Sequence, residues 1–117
     1  MLEKLETMKN RREMLKNFKK YLKRINSSTK EILRDSEVYI FGSVIEGKHV
    51  GGSDIDILII ANVPKKHLIR TQIIADIEEK AGLPLSHPFE IHLLSSEEFN
   101  TWKEIYKLKF RDISFYL

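Results

Sequence analysis

The 117 residues of this chain are enough for one hydrophobic core and too few for two, so a single domain over residues 1–117 is predicted. Hydrophobic residues at 42%, charged residues at 32%, no cysteine and no apolar run near the roughly 18 residues of a spanning helix argue against disordered, membrane-embedded and disulfide-bonded classes. The net charge of +3, with basic residues concentrated in 9–34 and 103–111, is compatible with nucleotide or RNA partners and equally typical of a solvated surface.

Residues 1–35 are predicted to form N-terminal helices. Apolar residues recur every three or four positions from residue 2 to about residue 26, which predicts one long amphipathic helix with a basic opposite face. Ser28, with Glu31 three residues later, predicts a capping box that opens a second, short helix through about Asp35. The basic face indicates either a surface for nucleic acid or a partner protein, or the solvated side of a helix packed on the core. The N-terminus does not resemble a secretory signal, so a cytoplasmic protein is expected.

The segment 37–94 is predicted to hold the core of the domain. Its first strand is the β-branched and aromatic run 37–41, which ends at Gly42. Ser43 is expected to open a short helical turn that Gly47 ends. A glycine-rich loop then leads to a second strand, from Asp54 to about Ala61.

The second half of this core is predicted to be a helix followed by a strand. Asn62 and Pro64 indicate a helix start, and the helix is expected to run to about Lys80. Its inward residues are predicted to be Leu68, Ile69, Ile73, Ile74 and Ile77. A third strand is predicted over residues 89–94.

The C-terminal segment, residues 95–117, is predicted to be helical. Ser95 or Ser96, followed by Glu98, indicates a capped helix start. The aromatic residues beyond it, Phe110 among them, are expected to face inward from one or two helices. Together with the preceding elements, this order predicts an α+β domain with a small sheet.

Two carboxylates, Asp54 and Asp56, lie two residues apart at the start of the second predicted strand. Side chains alternate along a strand, so both are expected on one face. The rest of the strand is so apolar that it should be covered on both faces, where unpaired acids are costly. Divalent cations are a physical reason for two acids at this place.

Four further positions belong to the predicted site or its surroundings. Gly42 and Ser43 follow a strand, where a glycine lets a phosphate approach the main chain and the hydroxyl adds a donor. Glu90, on the third strand, is the candidate for a third acid. His92 is expected on the same face, either as a polar strand residue or as an outer ligand, since magnesium prefers oxygen.

The pattern of Gly42-Ser43, ten residues and then Asp54-Ile55-Asp56 resembles the signature of the DNA polymerase beta-type nucleotidyltransferase superfamily, specifically its minimal members in bacteria and archaea. The resemblance covers residues 37–94 by motif. It implies a nucleotidyltransferase fold, with a short mixed sheet of three or four strands flanked by helices. It also implies transfer of a nucleoside monophosphate, AMP from ATP, to an acceptor hydroxyl, with two Mg²⁺ ions and release of pyrophosphate.

The resemblance also assigns roles to residues of this chain. It implies that Gly42 and Ser43 bind the triphosphate, with Ser53 as a further nucleotide-binding candidate. It implies that Asp54 and Asp56 bind the metal ions, with Glu90 as the third catalytic acid and metal ligand. The superfamily most often has aspartate at this third position, so Glu90 is a departure from its pattern.

The expected partner follows from the same resemblance. Minimal members often pair with a small helical HEPN protein as the antitoxin of a toxin–antitoxin system, and transfer AMP to a tyrosine hydroxyl of that partner. A homodimer and, less favoured, a nucleic-acid partner are further expectations, and membrane contact is not expected. Two alternatives stay open: a binding module that neutralises its partner without catalysis, and an enzyme that modifies small molecules.

Overall fold

The computed structural model describes residues 2–47, 54–107 and 109–117. Its elements are α1 (Leu2–Lys16), α2 (Phe18–Ile32), β1 (Glu37–Phe41), β2 (Ile55–Ile60), α3 (His67–Lys80), β3 (Phe89–Leu94), α4 (Ser96–Tyr106), β4 (Phe110–Asp112) and a final 3₁₀ helix (Ile113–Tyr116). The predicted α+β class is confirmed. Within the described ranges, no helix combines the length and the apolar character needed to cross a membrane.

The four strands form one mixed sheet in the order β3-β2-β1-β4. β1 runs antiparallel to both β2 and β4, whereas β2 and β3 are parallel. Parallel neighbours need a crossover connection, and α3 lies within that connection. The register places Asp56 opposite Phe41 on one side and opposite Glu90 on the other. This register therefore brings an acid of β2 next to an acid of β3.

Both faces of the sheet are covered, which explains the nearly continuous apolar run of β2. The larger core joins α1, α2 and α3 to one face, where Ile55, Ile57 and Ile59 of β2 are buried. On the other face, Leu58 and Ile60 pack beneath the aromatic residues of α4 and β4. An acid on this second face is therefore expected only where α4 does not cover the sheet.

The N-terminal helices differ from the prediction in three ways. The single long helix is wrong, because the chain breaks at Asn17 into α1 and α2. The predicted capping box at Ser28 is also wrong, since α2 continues through this position to Ile32 and buries Ser28. The apolar stripe is buried only from Met14 onward, and the three apolar residues of the first turns of α1, Leu2, Leu5 and Met8, are exposed. Local spacing predicted helix correctly, but the packing partner decided its bounds.

The α3 helix begins later than predicted, at His67 rather than near Pro64. The Pro64 carbonyl instead accepts a hydrogen bond of 2.7 Å from the Arg70 side chain, which holds the preceding segment outside the helix. Leu68 and Ile69 were expected to be inward but are 83% and 39% exposed. The inward face of α3 is therefore centred on its later turns.

The C-terminal segment contains a strand that was predicted as helix. α4 ends after Tyr106, and Lys107 takes a left-handed conformation that terminates it. Phe110 then lies in β4, which pairs with β1, and its ring contacts Tyr39 and Phe41 at centroid distances of 6.4 and 5.2 Å. The open edge of β1 decided this outcome, because it offers backbone partners that a helix would leave unpaired. The predicted strands over 37–41 and 89–94 are confirmed, as is the Ser95–Glu98 capping box.

Candidate active site

Three side chains converge on the α4 face of the sheet: Asp56 of β2, and Glu90 and His92 of β3. One ligand atom from each lies within 4.8 Å of those of the other two. His92 Nε2 is 3.6 Å from Asp56 Oδ1 and 3.8 Å from Glu90 Oε1. Strand alternation places Glu90 and His92 on one face, and the parallel register adds Asp56. Sequence reasoning placed Glu90 and His92 together, and the structure adds the neighbouring strand.

The pKa of Asp56 is raised above its ordinary value. Burial against the sheet is the first cause, and the nearby negative charge of Glu90 is the second. His92 acts in the opposite direction and lowers the pKa without cancelling these effects. Among the residues that the structure describes, His92 therefore does not fully offset the negative charge of the two acids.

His92 packs against two aromatic rings at the edge of this cluster, and these rings also contact each other. Its ring centroid lies 5.3 Å from that of Phe41 and 5.5 Å from that of Trp102. Its Nε2 atom is buried and has no hydrogen-bond partner among the described residues. Buried polar nitrogens are nearly always paired, so this atom faces a position that suits a ligand.

Gly42 lies directly against Asp56. Its φ of +86° is in the left-handed region, and a Cβ at this position would lie 2.5 Å from Asp56 Oδ2. Only glycine meets both requirements. Ser43 follows at the start of the turn 43–47, where Gly47 also has a positive φ of 68°. The predicted turn is present, and it begins beside the carboxylate cluster.

Asp54 is not brought into this cluster. It lies before the first residue of β2, and its Oδ1 accepts a hydrogen bond and ion pair from the Arg11 guanidinium of α1. Arg11 also donates to the His87 carbonyl at 3.0 Å. Ser53 and the rest of the predicted loop 48–53 lie outside the described residues. The structure thus separates the two predicted metal-binding aspartates by their partners.

Most of the chain matches a known protein family. The profile of the nucleotidyltransferase domain matches residues 15–115, which include the complete sheet and the candidate site. The chain belongs to the nucleotidyltransferase domain family. No curated protein matches the sequence.

One solved structure agrees with this family assignment. A crystal structure of a protein inferred to be a nucleotidyltransferase is 34% identical to this chain, with a TM-score of 0.58. The match covers 77% of this chain and 96% of the other. A second such protein, from Sulfolobus solfataricus, is 21% identical with a TM-score of 0.47, over 83% of this chain and 78% of its own.

The donors in this nucleotidyltransferase suit a divalent cation. Nucleotidyltransferases use a nucleoside triphosphate and divalent metal ions. Asp56 and Glu90 offer carboxylate oxygens, and the unpartnered His92 Nε2 faces the same space. The raised pKa of Asp56 indicates that a cation would relieve the repulsion between the two acids. These residues fit the metal ion that the family implies.

In this nucleotidyltransferase, sequence reasoning missed the partner of Asp54 and did not predict the surroundings of His92. Arg11 lies 43 positions before Asp54, and nothing in the helical pattern of α1 signals their contact. His92 was considered only as an outer ligand or as a polar strand residue. Its position two residues after Glu90 was the available signal, whereas its packing against Phe41 and Trp102 had none.

Proposed function

We propose that this protein transfers AMP from ATP to a hydroxyl group of a partner protein, with divalent metal ions at the Asp56 cluster. Membership of the nucleotidyltransferase domain family supports nucleotidyl transfer in general. The observation that carries the proposal is the pair of acids, Asp56 and Glu90, whose charge the described residues do not fully offset, directly beside Gly42. A triphosphate at this place brings its own negative charge, so the site requires cations before it can bind the donor.

Each residue of the site has a part in this reaction. Gly42 lets the Asp56 carboxylate lie directly against the main chain at the start of the turn, and in the proposed complex the Ser43 hydroxyl that follows it donates to a phosphate oxygen. Bound divalent ions would neutralise the leaving pyrophosphate and lower the pKa of the attacking hydroxyl. Asp56 and Glu90 hold those ions, with Glu90 next to the acceptor. The acceptor oxygen bonds to the α-phosphorus, the bond to pyrophosphate breaks, and the hydroxyl proton leaves to a base or water.

The accessibility of the site favours a large acceptor. In the part of the chain that the structure describes, the Glu90 side chain is 59% exposed and that of Asp56 is 28% exposed, so these residues do not enclose the two acids. A cavity of about 830 Å³ exists, but it is lined by Lys23 of α2 and Lys80 of α3 rather than by the cluster. A small-molecule enzyme normally encloses most of its substrate. An open site instead suits a hydroxyl presented by a protein, and a helical HEPN-type protein is the partner we propose from the sequence resemblance.

Transfer of labelled phosphate tests this function. The purified chain, the protein encoded next to it and ATP labelled on its α-phosphate are incubated with Mg²⁺. We expect label on the partner protein, at a tyrosine, and its loss with the Asp56→Ala variant. Label that persists with folded Asp56→Ala protein would overturn the catalytic assignment.

A binding module without catalysis is the second candidate, favoured by the pairing of Asp54 with Arg11. The Arg11 guanidinium on α1 already neutralises Asp54 through Oδ1, so this aspartate does not need a metal ion to compensate its charge. Calorimetry separates the two candidates: an enzyme binds ATP more tightly when a divalent cation is added. A binding module that only occludes its partner forms the complex without any metal-dependent nucleotide binding.

A further inference from the structure

We infer that His92 is itself a metal ligand through Nε2, and that the site consequently prefers a first-row transition-metal cation such as Mn²⁺ over Mg²⁺. The inference rests on the proposed function, because it concerns the ion of the same site. It changes the expected donor set from carboxylates alone to two carboxylates and one imidazole, Asp56, Glu90 and His92.

The Nε2 atom of His92 lies close to both carboxylates of the cluster. It is buried and has no hydrogen-bond partner in the described parts of the chain, although two carboxylates lie nearby. The separations of 3.6 Å from Asp56 and 3.8 Å from Glu90 are too long for hydrogen bonds, which have donor–acceptor distances of about 2.7–3.2 Å. The nitrogen instead faces the space between the two oxygens.

The space between His92 Nε2 and the oxygens of Asp56 and Glu90 has the size of a metal site. Nitrogen and oxygen ligands bind transition-metal ions at roughly 2.0–2.2 Å, so two donors of one ion are at most about 4.4 Å apart. Both distances from His92 Nε2 satisfy this limit. All three donor atoms lie within 4.8 Å of one another, so a small side-chain rotation brings the third pair inside it. One ion can therefore contact all three residues.

The His92 imidazole is held in place before any ion binds. Phe41 and Trp102 pack beside the His92 ring, with centroids 5.3 and 5.5 Å away. His92 lies in the middle of β3, paired in register with Leu58 of β2. The ring thus has little freedom to lose when an ion binds, which is the condition for a strong ligand.

The preference for the metal follows from the donor type. Mg²⁺ takes oxygen ligands and retains its water molecules, so an imidazole contributes little to its binding. Divalent first-row transition metals bind sites with imidazole more tightly. A site of two carboxylates and one imidazole therefore discriminates against Mg²⁺ more strongly than a site of carboxylates alone.

Pulsed electron paramagnetic resonance of bound Mn²⁺ tests the inference on the full chain. Direct coordination gives nitrogen modulation in the spin echo, and we expect it in the wild type and not in His92→Gln. His67→Gln is the matched control, because His67 is exposed on α3, and it should keep the signal. In calorimetry, His92→Gln should lose at least about tenfold in Mn²⁺ affinity. Its Mg²⁺ affinity should change much less.

The outcomes separate this inference from the proposed function. Mn²⁺ that binds the wild type without nitrogen modulation overturns the role of His92 alone, as does modulation that persists in His92→Gln. No binding of either Mn²⁺ or Mg²⁺, with or without ATP, overturns the metal-dependent function as well. A measurement on the wild type covers the case in which His92→Gln does not fold. Added Zn²⁺ should shift the ring-nitrogen resonance of His92 in nuclear magnetic resonance and leave those of His67 and His87 in place, and an unmoved His92 resonance overturns the inference.

Discussion

Asp56 and Glu98 are both partly buried acids on the α4 side of the domain, but their surroundings are opposite. Glu98 accepts two hydrogen bonds from the Arg70 guanidinium, at 2.8 and 3.1 Å, and one from the Ser95 backbone N–H at 2.9 Å. Asp56 has a second acid, Glu90, as its neighbour and is 3.6 Å from the nearest His92 nitrogen. Arg70 chiefly lowers the pKa of Glu98, to about 2, whereas burial and Glu90 raise that of Asp56.

This contrast separates an acid that stabilises the fold from one that is kept for a ligand. The Glu98 cluster joins α3 to α4, and Arg70 also donates to the Leu93 carbonyl of β3 at 3.3 Å. Each of its charges has a partner within the chain. Within the described residues, the Asp56 cluster leaves part of its charge uncompensated, which costs stability and is typical of functional sites. A local deficit of positive charge is therefore a stronger sign of a metal site here than the acids themselves.

The largest expected difference between the two acids is in catalysis. Asp56→Asn should lower transfer of AMP by roughly 10³-fold, because it removes a ligand of ions that contribute several kcal/mol to transition-state stabilisation. Glu98→Gln, which removes the same charge, should change transfer less than about threefold at a temperature where it is folded. The rate of label transfer measures both, and equal losses would remove the distinction drawn between them.

A substitution at Gly42 tests whether the Asp56 site is tightly built. Gly42→Ala places a Cβ 2.5 Å from Asp56 Oδ2 in addition to straining a φ of +86°, so unfolding by urea should show a loss of about 2–3 kcal/mol. Gly82→Ala is the matched control, since Gly82 has a φ of +70° but an added methyl group there would meet no described atom within 4 Å. It should cost about 1 kcal/mol. Equal losses would show that contact with Asp56 contributes nothing.

The Glu98 cluster should make stability depend on acid pH. The folded-state pKa of Glu98 is about 2, below its ordinary value of 4.5, so its stabilisation is complete above pH 4.5 and disappears as the pH falls toward 2. Because a third of the side chain is exposed, solvent screening limits the effect to about 1–2 kcal/mol. Glu98→Ala should lose this amount at neutral pH and show a flatter acid limb than Glu97→Ala, the exposed neighbour. Identical acid limbs would contradict the assignment.

The smallest expected effect is a gain in the stability of the metal-free protein rather than a loss. The folded-state pKa of Asp56 is raised, so the group favours folding below its ordinary pKa of 3.8 and opposes it once ionised. Asp56→Asn should therefore stabilise the metal-free protein at neutral pH, by up to about 0.5 kcal/mol, seen as a higher Tm. Saturating Mn²⁺ should reverse the order, because only the wild type retains all ligands. A lower Tm for metal-free Asp56→Asn would contradict the charge deficit.

Much of the site was predictable, and the parts that were not depend on distant contacts. The strands over 37–41 and 89–94 and the cap at Ser95 follow from local pattern, because alternation and capping involve neighbours in the chain. The pairing of Asp56 with Glu90 depends on a register across β2 and β3 that no local pattern specifies. The Arg11–Asp54 pair joins elements 43 residues apart, and the edge strand β4 depends on a partner in β1.

The sequence by itself determined the α+β class, the nucleotidyltransferase resemblance and the face of β3 that carries Glu90 and His92, because these depend on residue type and on periods of two and about 3.6. Only the tertiary structure decided which acids meet. It placed Asp56 with Glu90 and His92, turned Asp54 to Arg11, and packed His92 against Phe41 and Trp102 with its Nε2 atom buried. The physical reason is that charge compensation and burial are properties of three-dimensional neighbours, which the order of residues does not specify locally.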